Sequence, residues 1–222
     1  MIRYKAKLSA MATIPNGILG ALNGRMGPVT GYRRNGVNVI RVSTRKKDKV
    51  ITAGRLAQRE KLKLCNDFTR AFTGTNFFKR TFPGYGHTGT GLHRATSALM
   101  NLAVTGTYPD LSLSYPSVLI SKGLLPGAVN ANALSDSQQN ILFTWDDNSD
   151  VGTAGADDMV VVAAFDIQNN EAVFSLNAGI RQDQAASLNI SGLRGKTIAT
   201  WLSFINTNGD VADSVFCRLI EG

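Results

Sequence analysis

Glycine punctuates the N-terminal part of the chain at intervals that neither a helix nor a long strand tolerates. Between Gly17 and Gly36 it recurs every three to five residues, and Pro28 adds a further stop. Because closely spaced glycines interrupt both periodicities, this run predicts tight turns that join short extended pieces. A strand is predicted to follow at Val37–Val42, where Val37, Val39 and Arg41 alternate with Asn38, Ile40 and Val42. Such an arm has little core of its own, so we expect it to lie on another surface.

Residues 46–109 have the spacing of apolar side chains that is typical of helices. Thr52 is a suitable N-cap for a first helix. The apolar stripe of this helix is predicted to comprise Leu56, Leu64, Phe68 and Phe72. A second helix is expected at residues 90–104, and its buried side would comprise Leu92, Ala95, Leu99, Leu102 and Ala103.

From about residue 110 onward, short apolar or alternating runs are separated by clusters of Asn, Asp and Gly, which is typical of strands and turns. Seven strands are predicted there: Ser117–Ser121, Asn140–Trp145, Met159–Asp166, Ala172–Asn177, Ala186–Ile190, Thr197–Asn206 and Asp213–Ile220. This number favours an immunoglobulin- or fibronectin-like β-sandwich, and the lack of a cysteine pair at immunoglobulin spacing favours the fibronectin-like form. Its core would contain Trp145, Phe165, Phe174, Trp201 and Phe204.

The predicted fold class is therefore α+β, in three segments of unequal charge. A glycine-rich basic arm (residues 1–45) precedes a helical segment (46–109) and a seven-stranded sandwich (110–222). Residues 1–110 contain 19 Lys and Arg against 4 Asp and Glu, a net charge of +15, whereas residues 111–222 contain 5 against 12, a net charge of −7. Segregation on this scale indicates that the two halves meet different partners, or that the halves of neighbouring copies meet each other.

Motifs for catalysis or metal binding are not recognisable in the sequence. The two histidines, His87 and His93, have Gly, Thr and Arg around them rather than further ligands or a carboxylate. Cys65 and Cys217 lie in different halves and are expected to be buried free thiols. We therefore expect neither enzyme activity nor a cofactor.

An acidic segment, Asp146–Asp157, has part of the spacing of a calcium loop. Val151 stands at the position where such a loop has glycine, and the twelfth residue is aspartate rather than glutamate. An acidic turn between strands is the favoured interpretation.

The densest basic cluster follows directly on the glycine-rich run. It comprises Arg33, Arg34, Arg41, Arg45, Lys46, Lys47 and Lys49. Tyr32 lies beside the cluster and offers a ring on which a base can stack. The cluster suits contact with phosphates, but it equally suits a solubilising surface or docking on the acidic half of another copy, and these interpretations stay open.

Five stretches of the chain together carry a family resemblance: Asn16–Arg41, Leu56–Arg59 (LAQR), Tyr108–Asp110 (YPD), Ile120–Leu124 (ISKGL) and Trp201–Val215 (WLSFINTNGDVADSV). They resemble an uncharacterised family of bacterial proteins, common in the Bacteroidota, that begin with a similar glycine-punctuated arm. The similarity covers most of the chain, starting near Met11. The family is a domain of unknown function, so the resemblance implies a glycine-rich N-terminal arm and a C-terminal β-sandwich, and it implies no site residues.

The function expected from these features is that of a non-enzymatic structural subunit that self-assembles into a virion, tail-like tube or filament. Arm exchange and charge complementarity would hold the copies together as a homo-oligomer. Exchange would bury Ile14, Ile18, Leu19, Leu22 and Val29 against the next subunit. The alternatives are a non-specific nucleic-acid-binding protein that uses the basic N-terminal half, and a carbohydrate- or ligand-binding sandwich module.

The expected location is the cytoplasm or a virion or other particle. Residues 1–12 are basic but lack the apolar run of a signal peptide, and no stretch approaches the length of a membrane span. The expected partners are therefore other copies of the chain or nucleic acid, and not a membrane.

Overall fold

The fold is mostly β-sheet with a few helices, and its strands form several antiparallel sheets. The structure is a computed structural model that describes residues 14, 20–42, 51–72, 76–86, 89–136, 139–193, 195 and 197–221. It contains two compact units, Met1–Ile51 and Thr52–Gly222. The predicted helical segment and the predicted strand region therefore lie together in the second unit from Thr52 onward.

The first unit contains a three-stranded antiparallel sheet built from the glycine-rich run. Its strands are β1 (Gly24–Met26), β2 (Val29–Arg34) and β3 (Val37–Val42), and they pair in chain order. The prediction of a strand at residues 37–42 is confirmed. The turns that were predicted before it join β1 to β2 and β2 to β3, so the run forms a meander.

Three helices begin the second unit: α1 (Ala53–Ala71), α2 (Phe77–Thr81) and α3 (Gly91–Leu102). The two predicted helices are confirmed, whereas the short helix α2 was not predicted. Thr52 precedes α1 as expected, although its side chain makes no capping hydrogen bond. Thr90 does cap α3, since its hydroxyl accepts a hydrogen bond from the His93 N–H at 3.3 Å.

The strands of the second unit form one hairpin and two larger sheets. Strands β4 (Val104–Thr107) and β5 (Asp110–Leu113) form the hairpin. The other strands are β6 (Val129–Asp136), β7 (Asn140–Asp146), β8 (Met159–Asp166), β9 (Glu171–Ser175), β10 (Ala185–Asn189), β11 (Thr197–Ile205) and β12 (Val215–Glu221). One sheet has the order β10-β7-β6 and the other the order β12-β11-β8-β9.

The four-stranded sheet contributes to two hydrophobic cores. On β8, Val160, Val162 and Ala164 pack with the three-stranded sheet β10-β7-β6. The alternate residues Val161, Ala163 and Phe165 pack with the helices. Because both faces of β8 are buried, its sequence is continuously apolar rather than alternating. The aromatic residues predicted for one core are consequently divided: Trp145 and Phe204 lie in the first core, and Phe165 and Trp201, with Phe174 packed against them, lie in the second.

The prediction of a strand at Ser117–Ser121 is wrong. A 3-10 turn occupies Tyr115–Ser117, and the backbone that follows forms hydrogen bonds with Ser214 rather than with a neighbouring strand. The Ile120 N–H donates to the Ser214 hydroxyl at 2.9 Å, and the Ser214 N–H donates to the Ser121 carbonyl. Strands β4, β5 and β6 were not predicted, and β6 (VNANALSD) is too polar to give an apolar signal.

The predicted buried sides of the helices are confirmed only in part. On α1, Phe68 is buried and Phe72 just beyond the helix is also buried, but Leu56 is exposed. On α3, the prediction is confirmed for Ala95 and Leu99 and for Ala103, the residue after the helix, whereas Leu92 and Leu102 are exposed. The buried part of each stripe is therefore shorter than the helical periodicity predicts.

Candidate functional site: the two faces of the N-terminal sheet

Two tight turns fix the register of the N-terminal sheet. Asn35 and Gly36 both have positive φ, 49° and 85°, as a type I′ hairpin turn requires. Gly27 has a φ of 58° and precedes Pro28, which suits the two central positions of a type II′ turn. With these turns Val29 is paired with Val42, and Thr30 with Arg41. Directly opposed residues share a face, so the register decides what each face carries.

One face of the sheet is apolar. It carries Met26, Val29, Ile40 and Val42, with Leu22 lying over Gly31, and we call this set the apolar face. A Cβ at Gly31 would overlap the Leu22 carbonyl and side chain, so glycine is required there for Leu22 to approach. Ile40 is 65% exposed, Val42 68% and Met26 56%. An amphipathic sheet normally buries such a face, and these three side chains are more than half exposed in this one.

The opposite face is cationic. We call the set Arg25, Tyr32, Arg34 and Arg41 the cationic face. Arg25 and Arg41 flank Thr30 in one row across the three strands, Tyr32 lies in the next row, and Arg34 in the row after that. All four side chains are exposed. The Arg25 Nε donates to the Gly27 carbonyl at 3.0 Å, which holds its guanidinium against the turn.

The residues predicted to form the assembly arm have different environments. Leu22 is buried and Val29 is half-buried, both on the apolar face, while Ile14 is exposed. Ile18 and Leu19 lie outside the described residues. The stronger apolar side chains of this surface, Met26, Ile40 and Val42, were not predicted as part of it.

The predicted basic cluster separates in the same way. Arg34 and Arg41 share the cationic face, but Arg33 points to the opposite side, where its Nε donates to the Gly36 carbonyl at 3.1 Å. Arg45, Lys46, Lys47 and Lys49 lie outside the described residues. The Asn-Gly pair at 35–36 is the signal that could have given the register, and with it the division of the arginines between faces.

The acidic segment with calcium-like spacing has another role. Asn148 accepts a hydrogen bond from the Arg181 guanidinium at 2.6 Å and donates to the Gly127 carbonyl at 2.9 Å. The side-chain oxygen that a calcium ion would need therefore binds an internal cation. Among the described residues, no group of three His, Cys, Asp or Glu side chains is placed to hold a metal ion.

Arg181 is fully buried and has its polar groups satisfied by the surrounding loops. Its guanidinium forms an ion pair with the buried Asp158 at 2.9 Å and donates to the Pro126 carbonyl at 3.1 Å. It also lies 3.7 Å from the centre of the Phe204 ring. Burial lowers the pKa of Arg181, and the adjacent Asp158 carboxylate opposes that effect. Several contacts from different loops converge on this one cation, so it organises the end of the core.

Several clefts lie beside α3 in the second unit. The first has a volume of about 670 Å³ and is lined largely by apolar groups, including Phe82, Leu102 and Leu124. Its Arg94 is occupied by the backbone, since the guanidinium donates to the Phe82 and Gly89 carbonyls at 2.6 to 3.0 Å. Arg94 therefore holds the loop that follows α2, and the cleft shows no nucleophile paired with a base among its described lining residues.

Both cysteines are free, as predicted, but only Cys65 is fully buried, since Cys217 is half-buried. Burial raises the pKa of Cys65 to about 11 and that of Cys217 to about 12. Neither thiol is therefore activated as a nucleophile.

Comparison with protein-family models matches most of the chain. The model of a family of unknown function, DUF6266, matches residues 21–218, which is most of the chain and includes both faces of the sheet. No curated protein matches the chain. The predicted resemblance to a domain of unknown function is confirmed, while an origin in the Bacteroidota stays a prediction. None of the helices in the described part of the chain is long and apolar enough to cross a membrane.

Proposed function

The chain belongs to the family of unknown function DUF6266, and we propose that it is a non-enzymatic structural subunit that self-assembles through its N-terminal sheet. The observation that carries the proposal is the apolar face, on which Met26, Ile40 and Val42 are each more than half exposed. Fully burying a side chain of this size contributes roughly 1.5–3 kcal/mol. A sheet of three short strands that leaves this much apolar surface unburied is stabilised by a partner.

The partner we propose is a second copy of the chain. The apolar face carries no acidic residue, and among the described residues its charged neighbour is Arg33 at the end of β2, so two such faces repel little along their centres. Contact between the basic N-terminal region of one copy and the acidic C-terminal half of another would extend this pair into a ring, tube or filament.

For the second unit we propose a fibronectin-like β-sandwich. The sheets β10-β7-β6 and β12-β11-β8-β9 hold seven strands and share one core. In an immunoglobulin constant-type domain the fourth strand pairs within the first sheet. Here β9, the fourth of the seven, pairs with β8 of the second sheet, which supports the fibronectin-like alternative. The described aromatic residues named as its core are buried or half-buried, which gives no support to a carbohydrate-binding row.

Substitutions on β3 test the assembly proposal with a matched control. Ile40 and Val37 have nearly equal exposure, 65% and 64%, and lie on opposite faces of the same strand. We expect Ile40→Asp to weaken self-association about 10- to 100-fold, because a charge replaces a side chain that the contact buries. Val37→Asp should leave the mass distribution in analytical ultracentrifugation nearly unchanged. Equal effects of the two substitutions, or a monomeric wild-type chain, contradict the proposal.

A deletion tests the same proposal independently. Removal of residues 1–51 takes away the whole first compact unit and leaves Thr52–Gly222. Light scattering should then show a monomer whose circular dichroism retains the strand signal. A shorter deletion, of residues 1–36, would divide the β2–β3 hairpin and leave β3 without its partner strand, so it is a less suitable test. An unchanged oligomer after removal of residues 1–51 rejects the N-terminal sheet as the contact.

A further inference from the structure

The cationic face lies on the side of the sheet opposite to the apolar face, through which the assembly proposal pairs two copies. We propose that this face, formed by Arg25, Tyr32, Arg34 and Arg41, binds single-stranded nucleic acid, with the arginines on phosphates and Tyr32 stacked on a base. This inference rests on the register of the three strands and not on the proposed assembly.

The spacing of the side chains suits an extended strand of nucleic acid. Successive rows on one face of a sheet lie about 7 Å apart, and adjacent strands about 4.8 Å apart. The row of Arg25 and Arg41, the row of Tyr32 and the row of Arg34 therefore follow one another along the sheet, with the ring between the cations. A basic surface with an aromatic ring between its charges is the arrangement by which proteins bind single strands without sequence preference.

The arginines of this face also lack carboxylate partners within the described residues. The salt bridges in that part of the chain, Arg70–Asp67 and Arg181–Asp158, both lie in the second unit. The segment from residue 20 to residue 42 contains no Asp or Glu. A guanidinium without a carboxylate partner keeps its full attraction for phosphate, and its planar fork matches two phosphate oxygens.

An acidic protein surface is the competing partner. The end of β7 and the loop after it expose Asp146, Asp147 and Asp150, and the basic sheet of another copy could dock there. Tyr32 favours nucleic acid: it is 37% exposed in the centre of the face, where a base can stack on its ring, whereas a carboxylate can accept only a hydrogen bond from its hydroxyl. The observations therefore favour nucleic acid, and docking on a second copy becomes an outcome of the test.

The test uses the full chain and fluorescence anisotropy with a labelled oligothymidine of about 20 nucleotides, which exceeds the site size of small binding domains. An oligouridine of equal length distinguishes DNA from RNA as the source of the strand, and a duplex of the same length measures how much depends on unstacked bases. The matched pair of variants is Arg34→Gln and Arg33→Gln, which remove the same charge from adjacent residues on opposite faces.

We expect Arg34→Gln to weaken binding of the single strand about 3- to 10-fold at low salt and to reduce the slope of log affinity against log salt by about 0.7. Arg33→Gln should change affinity less than about twofold and leave the slope unchanged, because its side chain faces away. Tyr32→Val should weaken binding about 10-fold with an unchanged slope, since stacking releases no counterions. Thermal melting of each variant checks that the sheet is intact.

Three results overturn the inference: no binding at low salt, equal losses for Arg33→Gln and Arg34→Gln, or an effect of Arg34→Gln on self-association alone. The last result would mean that the cationic face binds the acidic surface of another copy. The inference and the proposed assembly fail separately. Binding by the Ile40→Asp chain supports the inference whatever its oligomeric state, and a wild-type chain that is monomeric but binds the oligonucleotide rejects only the assembly.

Discussion

The two compact units differ in which side chains they bury and which they expose. The second unit buries even a guanidinium, because Asp158, Asn148 and the Pro126 carbonyl satisfy Arg181 inside the protein. The N-terminal sheet leaves Ile40 and Val42 about two-thirds exposed. The second unit satisfies this internal charge within its own loops, whereas the N-terminal sheet exposes several aliphatic side chains on one face. This difference is the basis on which we propose that the N-terminal sheet supplies the contacts between copies.

The largest effect that can test this difference is the loss of the buried ion pair. Asp158→Ala should reduce the free energy of unfolding by about 3–5 kcal/mol, because it leaves the Arg181 cation buried without its counter-charge. The adjacent Asp157 is exposed, so Asp157→Ala should change the free energy of unfolding by less than about 0.5 kcal/mol. Urea denaturation followed by tryptophan fluorescence measures both. Similar small losses for the two variants would show that Arg181 is not an organising group.

Two isoleucines give the next comparison, since the same substitution can be made in each unit. Ile141→Ala in β7 removes a fully buried side chain and should cost about 2–5 kcal/mol of unfolding free energy. Ile40→Ala in β3 should cost less than about 0.5 kcal/mol in the monomer, because its side chain is already exposed. The assay is urea denaturation at protein concentrations below the dissociation constant of the assembly. A large loss at Ile40 in the monomer would mean that the apolar face is already covered within one chain.

These contrasts were only partly predictable from the sequence. Continuous apolar runs identified β8 and β11, because strands buried on both faces carry a strong signal. The exposure of Leu92 and Leu102 was not predictable, since periodicity defines a stripe but not how much of it the sheet beneath covers. The partners of Arg181 were equally hidden, because Asp158 and Asn148 lie 23 and 33 residues away in the chain.

The faces of the N-terminal sheet could have been predicted more fully. The alternation within β3 was visible in the sequence, and it correctly separated Val37, Val39 and Arg41 from the residues between them. The missing step was the Asn35-Gly36 turn, which sets the pairing with β2 and thereby assigns Arg33 and Arg34 to different faces. Local alternation shows that two faces exist, and only the register shows which residues of the neighbouring strand join each face.

A buried carboxylate in the second unit gives a smaller, pH-dependent effect. Burial acts to raise the pKa of Asp166, but hydrogen bonds from Asn169, Gln168 and Gly195 outweigh it and lower the pKa overall. The carboxylate therefore stabilises the fold above its unfolded pKa of about 3.9, and this contribution is lost as the pH falls through the lower folded value.

Asp166→Asn should accordingly cost about 1–3 kcal/mol of unfolding free energy at neutral pH, since the amide presents a donor to N–H groups that need an acceptor. The difference from wild type should shrink as the pH falls below about 4. Urea denaturation at a series of pH values measures it. Asp150→Asn in an exposed loop is the control and should give no pH-dependent difference. A deficit that is independent of pH would assign the loss to packing instead of charge.

The last comparison uses the reactivity of thiols in the two units. It involves the smallest effect on stability and the sharpest contrast in exposure. Because burial raises the pKa of Cys65 to about 11 and that of Cys217 to about 12, both should react with a thiol reagent at pH 8 at least about 100-fold more slowly than in urea. Val42→Cys places a third thiol on the apolar face, where the native side chain is 68% exposed. That thiol should react rapidly in the monomer and slowly in the assembled protein. Rapid reaction of the introduced thiol in the assembled protein would exclude the apolar face from the contact. Rapid reaction of Cys65 would mean that the second unit opens readily and exposes its core.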